Sequence, residues 1–501
     1  MTVEGVQERT YGNWRRPRSA GLGQLGLVGT GVLMSGVVVV ILAVAIVGVI
    51  AALVVLAGLG LLLSSLLVHD RHGRTGAQLI TARIGWWRAR GRGSHLYRSG
   101  PLGQVPWGTF QLPGLAAASR LSEWRDGYDR PFALLSVPSV GHHTVVVAVA
   151  PDGASLVDQE QIDVWVARWG QWLASLGDEA GVVAASVTVE TAPDTGDRLR
   201  REVGSRIDPH APELAQRVLR EIVEDYPAGS ATIKAWVALT VAGSYRGRRG
   251  GSEEVARDLA TRLPGITQRL RGTGAGTARP VAAQELCEVV RGAYDPQAAR
   301  TIEEARGQGQ TPKLRWLDTG PAAAEARWDS YAHDGAVSVT WAMSSAPRGE
   351  VQSDVLWQLL APHRDVARKR VTLLYRVLDA GTAARVVEAD KRNADFRVNS
   401  ATRPSERALR EQSSAWATAQ EEARGAGLVD FGVLVTATVE DRGDASELAQ
   451  AAATVETLAA TARLGIRRVY GSQDSAFLAC LPLGFVLPRH LKVPDEIRRA
   501  L

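Results

Sequence analysis

The chain is predicted to be an α+β protein: an N-terminal two-helix transmembrane hairpin followed by two cytosolic α+β layers of ferredoxin-like type. Three observations predict this. No charged side chain occurs between Arg18 and His69. Basic residues flank that run on both sides. Beyond it, short β-branched runs alternate with segments of helical period.

A bilayer's hydrocarbon core takes about 20 helical residues, so residues 19–68 are too long for one span. Two helices turning near Gly48 satisfy every backbone group inside lipid. A secretory signal has a shorter apolar core, so the run reads as an anchor. Positive residues stay in the cytoplasm. Basic flanks on both sides therefore predict a multi-pass protein of the cell (plasma) membrane with both termini, and the rest of the chain, on the cytoplasmic side. The membrane-interface candidates are Trp14, Arg15 and Arg16 before the run, and Arg71, Arg74, Arg83, Trp86, Trp87, Arg88 and Arg90 after it. Leu79, Ile80, Ile84 and Trp87 recur at helical spacing among those arginines, which predicts a basic amphipathic helix on the membrane face. An ordinary surface helix is the plainer alternative.

The expected organisation is a polar arm (1–18), the hairpin (19–68), a basic juxtamembrane segment and linker (69–130), a first α+β unit (131–272), a helical connector (273–311) and a second α+β unit (312–501). Residues 132–137 and 144–150 predict a hairpin around Pro138-Ser-Val-Gly141. Ile162, Trp165, Val166, Trp169, Trp172 and Leu173 form one apolar helix face over 157–176, expected to pack in a core. Strands follow at 182–191 and 231–240, with helices at 213–223, 253–270, 281–292 and 296–306. The last unit reads as strands at 336–342, 370–378, 432–440 and 466–470. Helices are expected at 354–360, across the polar stretch 381–424, and at 445–463.

The composition excludes several function classes. A net charge of +5 is modest for a nucleic-acid binder, and much of the excess sits beside the hairpin, where anionic lipid attracts it. Direct nucleic-acid binding is not expected. Cys287 and Cys480 alone supply neither a disulfide framework nor a zinc site. Arginine greatly outnumbers lysine, and with abundant Ala, Gly and Val this suggests a high-GC bacterial source. No Gly-x-x-x-x-Gly-Lys-Ser/Thr, His-Glu-x-x-His or Gly-x-Ser-x-Gly occurs. Gly272-Thr-Gly-Ala-Gly276 lacks the preceding strand of a phosphate cradle and reads as a connection. His142 and His143 point to opposite faces of a strand, cannot easily share a metal, and read as surface residues. Asp329, His333 and Asp334 read as a polar turn entering a strand. No catalytic residue, cofactor site or metal site is expected, and the chain reads as a non-enzyme.

Two stretches carry a family resemblance. Arg9-Thr-Tyr-Gly-Asn-Trp14-Arg-Arg-Pro17, the apolar hairpin and Asp70-Arg-His-Gly-Arg-Thr-Gly76 resemble the small PrgI-type membrane subunit of conjugative type IV secretion systems. The C-terminal unit is similar to the non-catalytic N-terminal half of the conjugation ATPase. That similarity rests on the Asp334-Gly335 strand ending at Ala346-Pro347, Phe431 to Val435, Leu448 to Leu458, and Asp474 to Gly484. The whole layout resembles actinobacterial membrane proteins of integrative elements. No motor domain follows Gly484, so the resemblance implies a scaffold that docks a separate P-loop ATPase, with a homo-oligomer possible. It implies partner-docking roles for Trp328, Tyr331, Asp334, Phe477, Leu481 and Pro482. An EccE-like component of type VII secretion shares the two-helix, α+β plan. A membrane-bound glycosyltransferase is disfavoured because its acidic metal motif is missing.

Overall fold

The computed structural model describes residues 9–12, 14, 26–68, 70, 72–103, 109–153, 157–194, 196–225, 231–245, 248–249, 251–347, 349–443 and 445–491. Two apolar helices come first, α1 (Gly26–Ile46) and α2 (Val49–Leu67), reversed at Gly48, whose φ of +111° suits a residue without a side chain. They lie antiparallel, with Gly36 pressed against the Leu59 side chain, the close approach that small residues allow between apolar helices. Their side chains face outward: Ile46 is 78% and Ile50 82% exposed. A buried core helix would show the reverse.

Next come α3 (Gly76–Gly91) and the short strand β1 (Leu96–Arg98). The first half of the body then runs β2 (Arg120–Arg125), β3 (Pro131–Val137), β4 (His142–Ala150), α4 (Gln159–Asp178), β5 (Val182–Pro193), α5 (Asp197–Arg206), α6 (Glu213–Asp225) and β6 (Ala231–Ala242). A two-residue ribbon β7 (Ser244–Tyr245) and β8 (Arg248–Arg249) leads to α7 (Ser252–Arg269), β9 (Thr277–Pro280), α8 (Ala283–Tyr294) and α9 (Pro296–Gly307). The second half is β10 (Ala323–Ala326), β11 (Tyr331–His333), β12 (Ala336–Ser345), α10 (Trp357–Leu360), β13 (Arg368–Val377), α11 (Ala380–Asn399), α12 (Glu406–Ala423) and β14 (Val429–Glu440). It closes with α13 (Ala445–Thr461), β15 (Gly465–Arg468) and α14 (Gln473–Ala479).

The fold is mixed α and β, but the two expected layers are halves of one antiparallel sheet of 13 strands. Its order is β1-β10-β11-β12-β14-β13-β5-β6-β4-β3-β2, with β15 on β12 and β9 on β4. Apart from β1, an extra strand at one edge, the halves match strand for strand toward the centre: β2, β3, β4, β6, β5 against β10, β11, β12, β14, β13. The intervening helices match too, with α5–α6 corresponding to α11–α12 and α7 to α13. The halves meet at β5–β13, paired antiparallel from Thr191↔Lys369 to Ala185↔Tyr375. Threonine pairs mark equivalent places. Thr144 meets Thr240 at 3.1 Å and Thr340 meets Thr436 at 2.9 Å, while Thr188 meets Thr372 across the joint at 3.1 Å.

Both faces are covered. On one, Leu135, Val146, Trp236 and Ala238 pack under α8 and the segment from Phe477 to Phe485. On the other, Leu134, Val145, Val237 and Leu239 pack under α4 and α7. That second face continues as Val339, Trp341, Val371 and Val435 under α13. The tryptophan face of α4 is core, as expected: Trp172 is buried and stacks on Trp169 at 4.8 Å.

Several elements differ from expectation. The juxtamembrane segment and linker expected over 69–130 holds β1 and β2, each pairing at a sheet edge. The single helix expected over 381–424 breaks at Ser400–Ser405, where Pro404 cannot continue it and Ser405 caps the next helix. The 354–360 helix shrinks to four residues.

The joint carries a buried ion pair. Arg370, 1% exposed, bonds Glu190 through Nε, and Arg368 Nη1 reaches the same carboxylate at 2.9 Å. Burial pushes the Glu190 carboxyl up, but the Arg370 and Arg368 charges outweigh it and hold the group below its usual range. The Arg370 terminal nitrogens find no hydrogen-bond partner among the described residues; the guanidinium lies 5.4 Å from the Phe477 ring. Removing one partner of a buried pair leaves an uncompensated charge and costs about 3–5 kcal/mol. Arg370→Met is therefore expected to lower the thermal midpoint of the detergent-solubilised chain sharply, whereas Arg376→Met, at an exposed pair with Asp430, leaves it nearly unchanged.

Candidate membrane interface

The end of the sheet where β12 finishes and β14 begins receives the chain from both sides of the α1–α2 hairpin. Before the hairpin, Tyr11 bridges to Val351, its hydroxyl donates to Asp163 Oδ1 at 2.9 Å, and Trp14 meets Phe431 edge-on at 6.3 Å. Phe431 stands opposite Tyr375 near the start of β14. After the hairpin, Gly73 donates to Asp70 and Gly76 to the Val68 carbonyl, which turns the chain sharply out of α2. Thr75 and Gln78 close a reciprocal capping box that starts α3.

Helix α3 then lies against the body. Ala82 and Trp86 face it: Trp86 meets Trp328 edge-on at 5.4 Å, and the Ala82 carbonyl borders Gly471. Trp328 stacks on Tyr470 at 5.7 Å, and the Arg83 guanidinium sits 4.5 Å from the Trp328 ring centre. Away from the body α3 presents Ile80, Ile84 and Trp87, all exposed, with Arg88 beside them, whereas Leu79 lies on the Ala82 and Trp86 side and the Arg90 guanidinium sits 5.3 Å from the Trp86 ring centre. Apolar side chains thus lie on both sides of α3, Trp86 against the body and Ile80, Ile84 and Trp87 away from it.

Of the expected interface residues, the structure brings Trp14, Arg74, Arg83, Trp86, Trp87, Arg88 and Arg90 to this end of the sheet. Arg15, Arg16 and Arg71 lie outside the described residues. Sequence reading missed Tyr470, and it placed Trp328 at a partner surface rather than beneath Trp86. A stretch rich in Trp and Tyr far along the chain gives no local sign that it folds back to the hairpin.

The remaining partner-docking residues are corrected by burial. Tyr331, Phe477 and Leu481 are at most 2% exposed, and Pro482 is buried with them. They fill the core under the sheet, where no partner reaches them. Asp334 is held by Arg291 at 2.9 Å and by the Ala322 amide at 2.7 Å, so its carboxylate is committed to the fold.

The histidines read as surface residues are also buried. His142 and His143 are 6% and 8% exposed, and His143 Nδ1 pairs with Ser136 Oγ at 2.9 Å. His333 lies against the Tyr294 carbonyl through Nδ1, which must therefore donate, and Nε2 accepts from Ser338 at 2.8 Å. Asp329 reaches Arg468 at 3.4 Å. Gly272, Gly274 and Gly276 all have positive φ and carry the chain past Trp165 into β9, a connection as expected. Among the described residues no group of three or more His, Cys, Asp or Glu could hold a metal ion.

Residues 18–78 match the family model of a domain of unknown function (DUF8461), a span covering the hairpin and the turn into α3. No curated protein matches the chain.

Two outcomes follow. Gly471 has φ +78°, and a side chain there would meet the Trp328 ring at 2.8 Å. Gly471→Ala is expected to cost about 1–3 kcal/mol and to release α3, read as faster amide exchange over Gly76–Gly91. Burial lowers His142 and His333 to about 4. The unfolded chain then binds protons first as pH falls below about 6.5. Stability is complete above that pH and is lost toward pH 4, by roughly 3 kcal/mol at His333 alone; His333→Asn should flatten that part of the profile.

Proposed function

We propose that this chain is a membrane-anchored structural component of a conjugation-type (type IV) secretion machine, which docks a separate cytosolic P-loop ATPase at the inner membrane. The observation that carries the anchoring is the return of both outer ends of an exposed apolar hairpin to one end of the body. Two helices that cross a bilayer and come back place their outer ends on the same side, and basic flanks favour the cytoplasmic side. The link to secretion rests on the resemblance of the arm, the hairpin and the C-terminal unit to conjugation proteins. A core filled by Tyr331, Phe477 and Leu481 moves the motor's docking surface elsewhere. Helix α6, leaving the sheet at the end away from the hairpin, offers exposed Leu214, Val218, Leu219 and Ile222.

The expected result is that the chain stays in the membrane pellet through a carbonate wash, is released by detergent, and copurifies with an ATPase encoded beside it. ATP turnover in that preparation should follow the partner and vanish when the chain is purified alone. Recovery of the chain in the wash, or efficient hydrolysis by the pure chain, would falsify this reading.

A further inference from the structure

We infer that the outer part of the α11–α12 arm, residues 391–411, rests on the anionic surface of the bilayer that holds the α1–α2 hairpin. The inference rests on the anchored reading and adds to it a second, peripheral contact with lipid.

The arm leaves the sheet where the flank of the hairpin arrives. Strand β13 ends at Val377, paired with Val429 at the start of β14, and Leu378 donates to the Leu428 carbonyl as the two strands part. Trp14, on the segment before the hairpin, meets Phe431 two residues further along β14. Both faces of the sheet are already covered, and α11 and α12 pack chiefly on one another. Helix α11 has 20 residues, about 30 Å at 1.5 Å per residue, so the arm reaches well beyond its base.

Its apolar residues are placed unlike those of a helix pair made for water, which turns its large apolar side chains inward. The buried positions are Ala383, Val387 and Ala394 on α11 and Ala415 on α12. The larger side chains lie outside: Phe396 is 72% and Trp416 43% exposed, with Leu409 and Val386 at 40%. Polar contacts hold them there. Trp416 and Gln412 donate to Asp395 at 3.0 and 2.8 Å, and Arg397 pairs with Glu411 at 3.2 Å. Charge is divided along the arm. Residues 391–411 carry six basic against three acidic side chains, whereas the base, 379–390 and 412–424, carries two against five. Arg392, Arg403 and Arg410 are exposed and join no ion pair among the described residues.

Exposed aromatic and aliphatic side chains among free arginines suit the headgroup layer of an anionic membrane, where the charges meet phosphate and the apolar groups enter the acyl boundary. The equivalent arm makes the comparison. Helix α6 also exposes an apolar row, but at the end of the sheet away from the hairpin, and its last turn has no basic residue. Basic charge accompanies exposed apolar groups on the arm beside the hairpin.

The test attaches a nitrobenzoxadiazole label at Asn399→Cys, an exposed position one turn from Phe396, in the full chain; Cys287 and Cys480 are buried and escape labelling. A second preparation carries the label at Glu221→Cys on α6. Both enter nanodiscs of phosphatidylcholine brominated near the acyl carbonyl, alone or with one-third phosphatidylglycerol. Phosphatidylglycerol is expected to shift the label at 399 to the blue and to raise its quenching several-fold, while the label on α6 stays in water. The gain should vanish in Arg392→Gln/Arg403→Gln/Arg410→Gln, and in salt of about 1 M, where charge acts over only about 3 Å. An unquenched label at 399, quenching indifferent to phosphatidylglycerol or to salt, or equal quenching on α6 overturns the inference. So does a blue shift without quenching, which means that protein covers the arm. Amide exchange over Ala380–Ala423 in detergent identifies a variant whose arm has come apart, and the salt series on the natural arginines then decides. Carbonate resistance reports on the hairpin separately: a chain that resists the wash with its 399 label in water refutes the arm's contact alone, and a chain lost to the wash refutes both.

Discussion

Everything in the body hangs on the β5–β13 ladder. Each half alone would expose a strand edge on one flank, and an unpaired edge is a template for association. Joining the two central strands removes both edges at once and makes a single sheet. The joint must hold its register, because a slip of one residue turns every side chain to the other face. Arg370 and Glu190 fix it. In a register slipped by one residue Glu190 stands opposite Lys369 or Val371, and Glu190 and Arg370 fall on opposite faces. The pair costs desolvation, so its contribution lies more in selecting one alignment than in net stability.

The matched halves also clasp one another beyond the sheet. Arg291 of α8, in the first half, holds Asp334 of the second, and the Thr240 hydroxyl, in the first, donates to the Gly484 carbonyl of the second. Thr372 makes the same kind of bond to the Cys480 carbonyl. The chain after α14 therefore runs as a strap across the joint, its carbonyls satisfied by threonines that sit in the middle of their strands. Buried backbone groups need such partners, and a sheet face carrying Thr rather than Val at those positions supplies them.

Most strands and helices were legible in the sequence because their apolar period is strong: 132–137, 144–150, 231–240 and 432–440 all fall within observed strands. What escaped is explained by particular residues. Strands β1, β10 and β11 are three or four residues long and lie at an edge, too short for a period to register. Helix α14 carries Gln473, Asp474 and Ser475 before its apolar residues, so no stripe announces it. The duplication was hidden because the halves share threonine positions and connection order rather than sequence. Most of the residues that gather at the hairpin end of the sheet could be picked out from flanking charge and aromatic spacing. Tyr331, Phe477 and Leu481 could not be assigned to the core, since a buried aromatic and a docking aromatic look alike in a string of letters.

A body built from two like halves presents two like ends, and something must distinguish them. The α11–α12 arm leaves the sheet at Val377, on the hairpin side; its counterpart α5–α6 leaves at Pro193, on the far side. The helices of the first arm are tied to each other, with Trp416 donating to Asp395 at 3.0 Å and the Lys391 ammonium 3.8 Å from the Trp416 ring, while Phe396 and Leu409 stay exposed. The second leaves the apolar row of α6 uncovered. The hairpin breaks the symmetry, because it docks through Trp14, Trp86 and Trp328 at one end only. Both equivalent arms thus keep apolar side chains exposed, and what separates the two ends of the sheet is the helical hairpin packed at one of them.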